Sequence, residues 1–399
     1  MIRKSLFPLL VLFALLSSQI SLGYALFGLL AAGWIATGWR QESFRRALSH
    51  PLSALGGIYA LLVVLSVVFS LDPRMSLRAL PGLTLFLLVP ITLDLVGTDK
   101  RARAILFASA ASGLGLAILG LAGLASGGAD LQNRIRGPLS HYMTLSGLTM
   151  MAGCVLLGFL FAGKGWERWL GLLSVVPFTA MVLTLTRGAY VAAVGAVFLY
   201  LALARPRVLL LFVPVLVAIF YLSPPDVRDR AASIADPTET TNRDRIAMVR
   251  AGGRMIADWP VFGLGPEMVK PYYTIYRDPD APRWRVPHLH NNVLQIAAAS
   301  GVFAAAAYLA LLALFFARTV RSIRADRKAA ARASRERNMD LIPGGGQTLR
   351  GQGLVAAATF LSVTALSIAG LFEYNFGDKE VLMATLPLLA LPFCRRVQS

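Results

Sequence analysis

The chain has 399 residues, of which 56% are hydrophobic and only 15% are charged. Soluble domains usually carry about 25% charged residues, so this composition excludes an ordinary soluble globular protein. The formal charge of +18 does not require a nucleic-acid partner, because basic residues accumulate in the cytoplasmic loops of membrane proteins. Cys154 and Cys394 both lie in apolar stretches, so neither a disulfide framework nor a thiolate metal site is expected.

Apolar segments long enough to cross a hydrocarbon core of about 30 Å recur along the whole chain. They predict one all-α polytopic membrane protein with about twelve transmembrane helices. The first run could also be a cleavable signal peptide, but a second apolar run and a basic cluster follow at once, which favours a retained helical hairpin. The predicted spans are 5–22, 24–39, 52–70, 79–97, 104–125, 142–163, 168–185, 188–204, 208–222, 291–317, 353–372 and 380–394.

Lysines and arginines are concentrated in alternate loops, as expected where short loops remain in the cytoplasm. Segment 318–352 is the largest basic loop, and it is expected to lie near anionic lipid headgroups. The loop 223–290 has a nearly balanced charge, so it can be translocated. We therefore expect both termini in the cytoplasm, spans one to nine in 1–222, a large and partly helical periplasmic loop in 223–290, and spans ten to twelve in 291–399.

Placing an ionisable group at or near the membrane costs free energy, so such groups are usually kept for a function. They therefore indicate candidate sites for chemistry. Arg134 and Arg136 precede Gly137-Pro138, where a turn or a broken helix end would offer backbone donors beside two arginines. Such a group could hold a phosphate. The alternative is that these arginines only anchor the chain at the membrane interface.

Arg187 lies in a connection between two predicted spans that is too short to carry its guanidinium far into water. A charge held there needs an anionic partner. A diphosphate ligand would suit it, because arginine binds phosphate oxygens in a bidentate manner. Pairing with a protein carboxylate such as Glu373 is the alternative.

The loop 223–290 carries a predicted helix that opens near Asn242 and closes at Asp258, and the loop ends with His288-Leu289-His290-Asn291. Two histidines at this spacing could bind a metal, but no third ligand is evident nearby and zinc takes three or four. A neutral imidazole is better suited to act as a general base for a hydroxyl proton. The segment 372–380 adds acidic and amide groups at the same predicted face.

Taken in chain order, the motifs of this sequence resemble those of the bacterial O-antigen ligase family, which belongs to the O-antigen polymerase and ligase superfamily. The resemblance implies a membrane glycosyltransferase fold of the C type. It also implies a periplasmic active site at the inner membrane, where a glycan moves from undecaprenyl diphosphate to a sugar hydroxyl of the lipid A-core oligosaccharide without a metal or cofactor. The residues that carry it are Arg136-Gly137-Pro138, Thr186-Arg187-Gly188-Ala189, Asp244-Arg245, Trp259-Pro260, Gly263-Leu264-Gly265, 288–295, Ser300-Gly301 and 373–380.

Carried over to this sequence, the resemblance makes His290 the catalytic base. It assigns Arg136, Arg187 and Arg245 to the departing diphosphate. We also expect the neighbours of the base, His288 and Asn291, to bind substrate. Met248 departs from the pattern, because an aromatic residue is expected after the Asp-Arg pair. This departure weakens the assignment of Arg245 more than the others.

Three other functions share some of these features. An O-antigen polymerase would use the same donor with a second lipid-linked glycan as acceptor. A protein O-oligosaccharyltransferase usually carries a longer C-terminal periplasmic region than the five residues expected after the last span. A transporter would place charges deep within its spans and often show repeated halves, whereas here Asp94 is the only clear charge well inside a predicted span. A ligase is therefore favoured, with membrane lipids around it and no nucleic-acid partner.

Overall fold

The computed structural model describes residues 2–126, 135–338 and 352–394, and within these ranges the chain forms helices and no β-strand. Short 3₁₀ turns join some of the helices. In chain order the helices are α1 (Ile2–Leu16), α2 (Ile20–Gly38), α3 (Glu42–Ser49), α4 (Pro51–Val68), α5 (Pro73–Ser76), α6 (Leu80–Thr84), α7 (Leu88–Leu95), α8 (Asp99–Ala125), α9 (Tyr142–Ala162), α10 (Trp166–Leu170), α11 (Val175–Leu183), α12 (Arg187–Ala204), α13 (Pro206–Leu222), α14 (Pro225–Ala232), α15 (Thr240–Asp258), α16 (Val269–Tyr276), α17 (Asn292–Asn338), α18 (Gln352–Ala369) and α19 (Lys379–Ala390).

Seven helical segments of the described chain are long and apolar enough to cross a membrane, which indicates a multi-pass membrane protein. They are Ile20–Gly38, Pro51–Val68, Pro73–Leu95, Asp99–Ala125, Tyr142–Ala162, Arg187–Ala204 and Asn292–Arg332. Three shorter apolar helices accompany them: Ser5–Leu16, Pro206–Leu222 and Gly353–Ala369. The predicted frame of apolar helices is present, while the number of twelve spans is not confirmed.

Several predicted boundaries differ from the structure. The first hairpin turns at residues 17–19, so α1 ends well before residue 22. The predicted spans 79–97 and 168–185 are each divided into short α-helices and 3₁₀ turns. Prolines lie in both segments and remove amide donors from the helical ladder. The basic segment 318–352 is not a loop over its first part, because α17 continues through it to Asn338, and residues 339–351 lie outside the described chain.

The central helices approach one another closely because small residues face each other. Gly158 of α9 lies against the backbone of Ala358 in α18, and a Cβ at residue 158 would collide with it. Gly113 of α8 meets Ala152 of α9 in the same way. Close backbone approach of this kind strengthens van der Waals packing between helices in a membrane.

A break at Gly301 divides α17. The φ of Gly301 is +85°, which favours glycine because a side chain would be strained there. Near the break, Leu264 N–H donates to Ala298 O at 2.9 Å and Gly265 N–H donates to Ala299 O at 2.9 Å. The segment of turns and bends after α15 is therefore hydrogen-bonded to the first part of α17. This pairing fixes α15, which carries Arg245, relative to the start of α17, which directly follows His290 and Asn291.

Asn292 joins the start of α17 to the turn between α18 and α19. Its Nδ2 donates to Asn375 Oδ1 at 2.8 Å, its Oδ1 accepts from Phe376 N–H at 3.1 Å, and its backbone N–H donates to Gly370 O at 2.7 Å. These bonds satisfy polar groups that are buried in the protein. They hold the turn, which includes Glu373, against the residues that precede α17.

Candidate active site

The two histidines that precede α17 both contact one carboxylate from the turn between α18 and α19. Glu373 Oε2 lies 2.8 Å from His290 Nδ1, and Glu373 Oε1 lies 3.3 Å from His288 Nε2. The centroids of the two imidazole rings are 4.4 Å apart. The three side chains are between 11% and 24% exposed, so they are largely buried but still accessible.

The hydrogen bonds define the protonation of this group. Burial opposes ionisation of Glu373, but the hydrogen bond with His290 outweighs it, so the pKa of Glu373 lies below its ordinary value. Burial lowers the pKa of His288 to about 4, so this imidazole is neutral at pH 7. Because a carboxylate only accepts hydrogen bonds, a neutral His290 gives its Nδ1–H to Glu373. Its lone pair then lies on Nε2, which has no hydrogen-bond partner in the described part of the chain.

A sharp turn before α17 orients His290. The φ of His290 is +49°, in the left-handed region that non-glycine residues rarely occupy. Around it, Leu289 N–H donates to Gln295 Oε1 at 2.9 Å, and Leu294 N–H donates to Asn291 Oδ1 at 2.9 Å. Strained backbone of this kind persists where its surroundings impose it, often at functional sites. The cap of α17 thus gives His290 a rigid support.

Asn291 has a structural part in the same turn. Besides accepting from Leu294, its side chain donates from Nδ2 to Leu371 O at 3.1 Å. The oxygen and the nitrogen of its amide are therefore both used within the protein. The residue still lines the larger cavity described below.

Arg187 begins α12 and is almost fully buried. Its Nη1 donates to Ser233 O at 2.7 Å, and its Nη2 donates to Glu239 Oε2 at 3.1 Å and to Thr241 Oγ1. Burial raises the pKa of Glu239, but hydrogen bonds from Thr241 and the charge of Arg187 outweigh this and lower it to about 2. The protein therefore offers Arg187 an ionised carboxylate. The alternative that Arg187 pairs with a protein carboxylate is therefore confirmed, but the carboxylate is Glu239 and not Glu373.

Arg245 lies in the first half of α15 and is half-buried. Its guanidinium carbon lies 5.9 Å from the ring centroid of Phe372, and it makes no hydrogen bond or ion pair with the described residues. Burial lowers the pKa of Arg245, while the charge of Glu373 raises it. The neighbouring Asp244 is instead bound by Arg283, whose Nε lies 2.7 Å from Asp244 Oδ2. A half-buried guanidinium that forms no direct ion pair with the described residues is well suited to bind an anion.

Two cavities share Arg187, Arg245 and His290 in their walls. The larger has a volume of about 590 Å³ and an apolar part of its wall formed by Val191, Ile246, Val249, Leu371 and Phe372. The smaller has a volume of about 210 Å³, and polar side chains form a larger part of its wall, among them His141, Arg230, Thr241, Asp244, Arg283 and His288. The imidazole and the two guanidinium groups therefore lie between an apolar-walled space and a polar one.

Arg136 is the predicted site residue that the structure leaves apart from these cavities. Its side chain is exposed and lines neither of them, and Arg134 lies outside the described residues. The predicted turn is present, with a φ of +57° at Gly137. A few residues later, His141 accepts from Met143 N–H at 3.2 Å, caps α9 and lines the smaller cavity. The other predicted site residues come together around the two cavities.

Glu373 is the candidate site residue that the sequence analysis did not connect to the histidines. The expectation that no third metal ligand lies near them is wrong. One nitrogen from each imidazole and one Glu373 oxygen lie within 4.8 Å of one another. The acidic segment 372–380 was the available signal, but 83 residues separate Glu373 from His290 in the sequence.

Residues 172–309 match the model of a known family, described as O-antigen ligase. The matched stretch includes Arg187, Arg245, His288 and His290, and it ends before Glu373. The match confirms the family resemblance found in the sequence and indicates an activity of the O-antigen ligase or polymerase type. A comparison with curated proteins found no match.

Proposed function

Because the O-antigen ligase match includes most of the candidate site, we propose that the protein transfers a glycan from undecaprenyl diphosphate to a sugar hydroxyl of lipid A-core oligosaccharide. The reaction takes place at the periplasmic face of the inner membrane. The observation that carries the proposal is the arrangement of His290. Its Nδ1 is bonded to Glu373, and its side chain lines the same cavities as the unpaired guanidinium of Arg245.

His290 acts as the general base. A sugar hydroxyl is a weak nucleophile until its proton is removed, so the base must accept that proton as the oxygen attacks the anomeric carbon. The Nε2 lone pair of His290 receives it. The resulting imidazolium is stabilised by Glu373, in the way that a buried carboxylate supports the histidine of a hydrolase triad.

The arginines act on the leaving group. As the bond between the anomeric carbon and the diphosphate oxygen breaks, the electron pair and the negative charge pass to the diphosphate. Guanidinium groups placed where this charge develops stabilise the transition state. Arg245 is the main candidate because none of the described carboxylates forms an ion pair with it. Arg187 lines the same cavities, and its charge is partly balanced by Glu239. The leaving group is already good, so the proposed reaction needs no metal ion.

The two cavities support a division of the substrates. The apolar wall of the larger cavity suits the first isoprene units of a lipid carrier. The polar wall of the smaller cavity suits the hydroxyl groups of an acceptor sugar. His290 would then lie between donor and acceptor, where a general base for this reaction is needed.

Reconstitution with two competing acceptors tests the proposal. Purified protein in nanodiscs receives a lipid-linked glycan as donor, together with lipopolysaccharide that lacks O-antigen and a second, distinguishable lipid-linked glycan. A ligase attaches the donor glycan to the lipopolysaccharide, and the product is identified by its mass. Extension of the second lipid-linked glycan would instead identify a polymerase, and absence of transfer to either acceptor would overturn the proposal.

A further inference from the structure

The group formed by His288, His290 and Glu373 has the composition of a zinc site, with two imidazoles and one carboxylate. Zinc bonds to nitrogen and carboxylate oxygen are about 2.0–2.2 Å long, so ligand atoms around a tetrahedral ion stand roughly 3.4 Å apart. Here one nitrogen from each imidazole and one Glu373 oxygen lie within 4.8 Å of one another. His290 Nδ1 is 2.8 Å from Oε2 and His288 Nε2 is 3.3 Å from Oε1, so each imidazole already contacts its own oxygen of the carboxylate. Small side-chain movements would bring all three ligands to one ion.

The surroundings of the group allow an ion to reach it. The two histidines line the smaller cavity, so one side of the group opens to a polar space. Three protein ligands with one open position is the usual arrangement of an accessible zinc site, whereas closed structural sites use four. The carboxylate of Glu373 supplies negative charge that partly compensates the ion.

We infer that His288, His290 and Glu373 bind a divalent transition metal of the Zn²⁺ type, and that the bound ion inhibits glycan transfer. Metal on His290 Nδ1 uses the lone pair of that nitrogen. The single proton of the neutral imidazole must then be on Nε2, which can no longer accept the proton of the acceptor hydroxyl. Metal binding stands on the geometry of the three ligands alone, whereas the inhibition rests on the proposed role of His290 as base.

Metal binding is measured without any substrate. Purified full-length protein is stripped with a chelator, and Zn²⁺ binding is followed by equilibrium dialysis with elemental analysis, while Co²⁺ serves as a visible spectroscopic probe. We expect one ion per chain, and a loss of affinity of at least about tenfold in His288→Ala and in Glu373→Gln, since each removes a ligand. The matched control is His50→Asn, which removes another of the four histidines and keeps a side chain that can cap α4.

Inhibition is measured on the same proteins, each relative to its own metal-free rate. We expect stoichiometric Zn²⁺ to reduce transfer by the wild type at least about tenfold, EDTA to restore it, and His288→Ala to lose most of this sensitivity. Unchanged Zn²⁺ affinity in His288→Ala and Glu373→Gln would overturn the site. Activity that EDTA abolishes and Zn²⁺ restores would overturn the inhibitory role. A third outcome separates the two proposals. If the wild type binds one ion per chain and both variants lose it, but no protein transfers glycan under any condition, the metal site is supported and the proposed function is rejected.

Discussion

His290 Nδ1 lies 2.8 Å from Glu373 Oε2, although 83 residues separate the two in the sequence. The contact depends on Asn292, which bonds the start of α17 to the turn that carries Glu373. A carboxylate in this position fixes the tautomer and the orientation of the imidazole. The proposed general base is therefore built by two segments that meet only in the folded protein.

Glu373→Gln tests this relationship directly. An amide in place of the carboxylate no longer favours a single tautomer and does not stabilise the imidazolium, so we expect single-turnover glycan transfer to fall about 100-fold or more. Donor binding should change little. Glu267→Gln is the control, because Glu267 is an exposed carboxylate between α15 and α16 that contacts neither histidine. Wild-type turnover in Glu373→Gln would show that the carboxylate has no part in catalysis.

Alanine variants of the two histidines should differ strongly. His290→Ala removes the proton acceptor, so we expect a loss of about 100-fold or more in turnover, within the range usual for a general base. His288→Ala should have a much smaller effect, because His288 acts through its contacts with Glu373 and the backbone N–H of His290. Both variants are compared in single-turnover assays, with donor binding measured separately. Equal losses in the two variants would contradict the distinct role of His290.

Local sequence properties predicted the frame of apolar helices, because apolar length can be read along the chain. They also selected five residues that line the two cavities, namely Arg187, Arg245, His288, His290 and Asn291. The break at Gly301 was not predicted, since it depends on hydrogen bonds from the distant segment at Leu264. The partners of His290 and Arg187 were missed for the same reason. Glu239 is 52 residues from Arg187 in the sequence, and spacing alone could not choose between it and Glu373.

Reporter fusions test the predicted orientation. Fusions after Ala235 and after Asp280 should be active only in the periplasm, and a fusion after Arg332 only in the cytoplasm, because basic residues are concentrated in alternate loops. A pair of reporters that are active on opposite sides of the membrane provides an internal control at each position. Cytoplasmic activity from either fusion in 223–290 would move the candidate site to the wrong face for the proposed reaction.

Arg187→Lys should affect both stability and activity. Lysine cannot reproduce the contacts of the guanidinium with Ser233 and Glu239, so we expect a loss of about 1–3 kcal/mol in stability and most of the transfer activity, with the protein still inserted. Glu239→Gln is the matched variant, since it weakens the same ion pair and keeps the arginine. A donor affinity that falls in Arg187→Lys and not in Glu239→Gln would assign Arg187 to the diphosphate. Equal effects of the two substitutions would make it a structural residue alone.

Arg245→Lys should separate binding from stability most clearly. Its guanidinium makes no ion pair or hydrogen bond with the described residues, so its replacement should leave thermal unfolding close to that of the wild type. A lysine offers a point charge in place of the bidentate contact with phosphate oxygens. We therefore expect kcat/KM for the lipid-linked donor to fall at least about tenfold, which corresponds to about 1.4 kcal/mol of transition-state stabilisation.

Arg243→Lys, an exposed position on the same helix, is the control for a general effect of replacing arginine with lysine. The values of kcat/KM are measured by donor titrations at saturating acceptor. An unchanged kcat/KM in Arg245→Lys would show that Arg245 does not bind the diphosphate. Arg187 would then be the buried guanidinium that stabilises the leaving group.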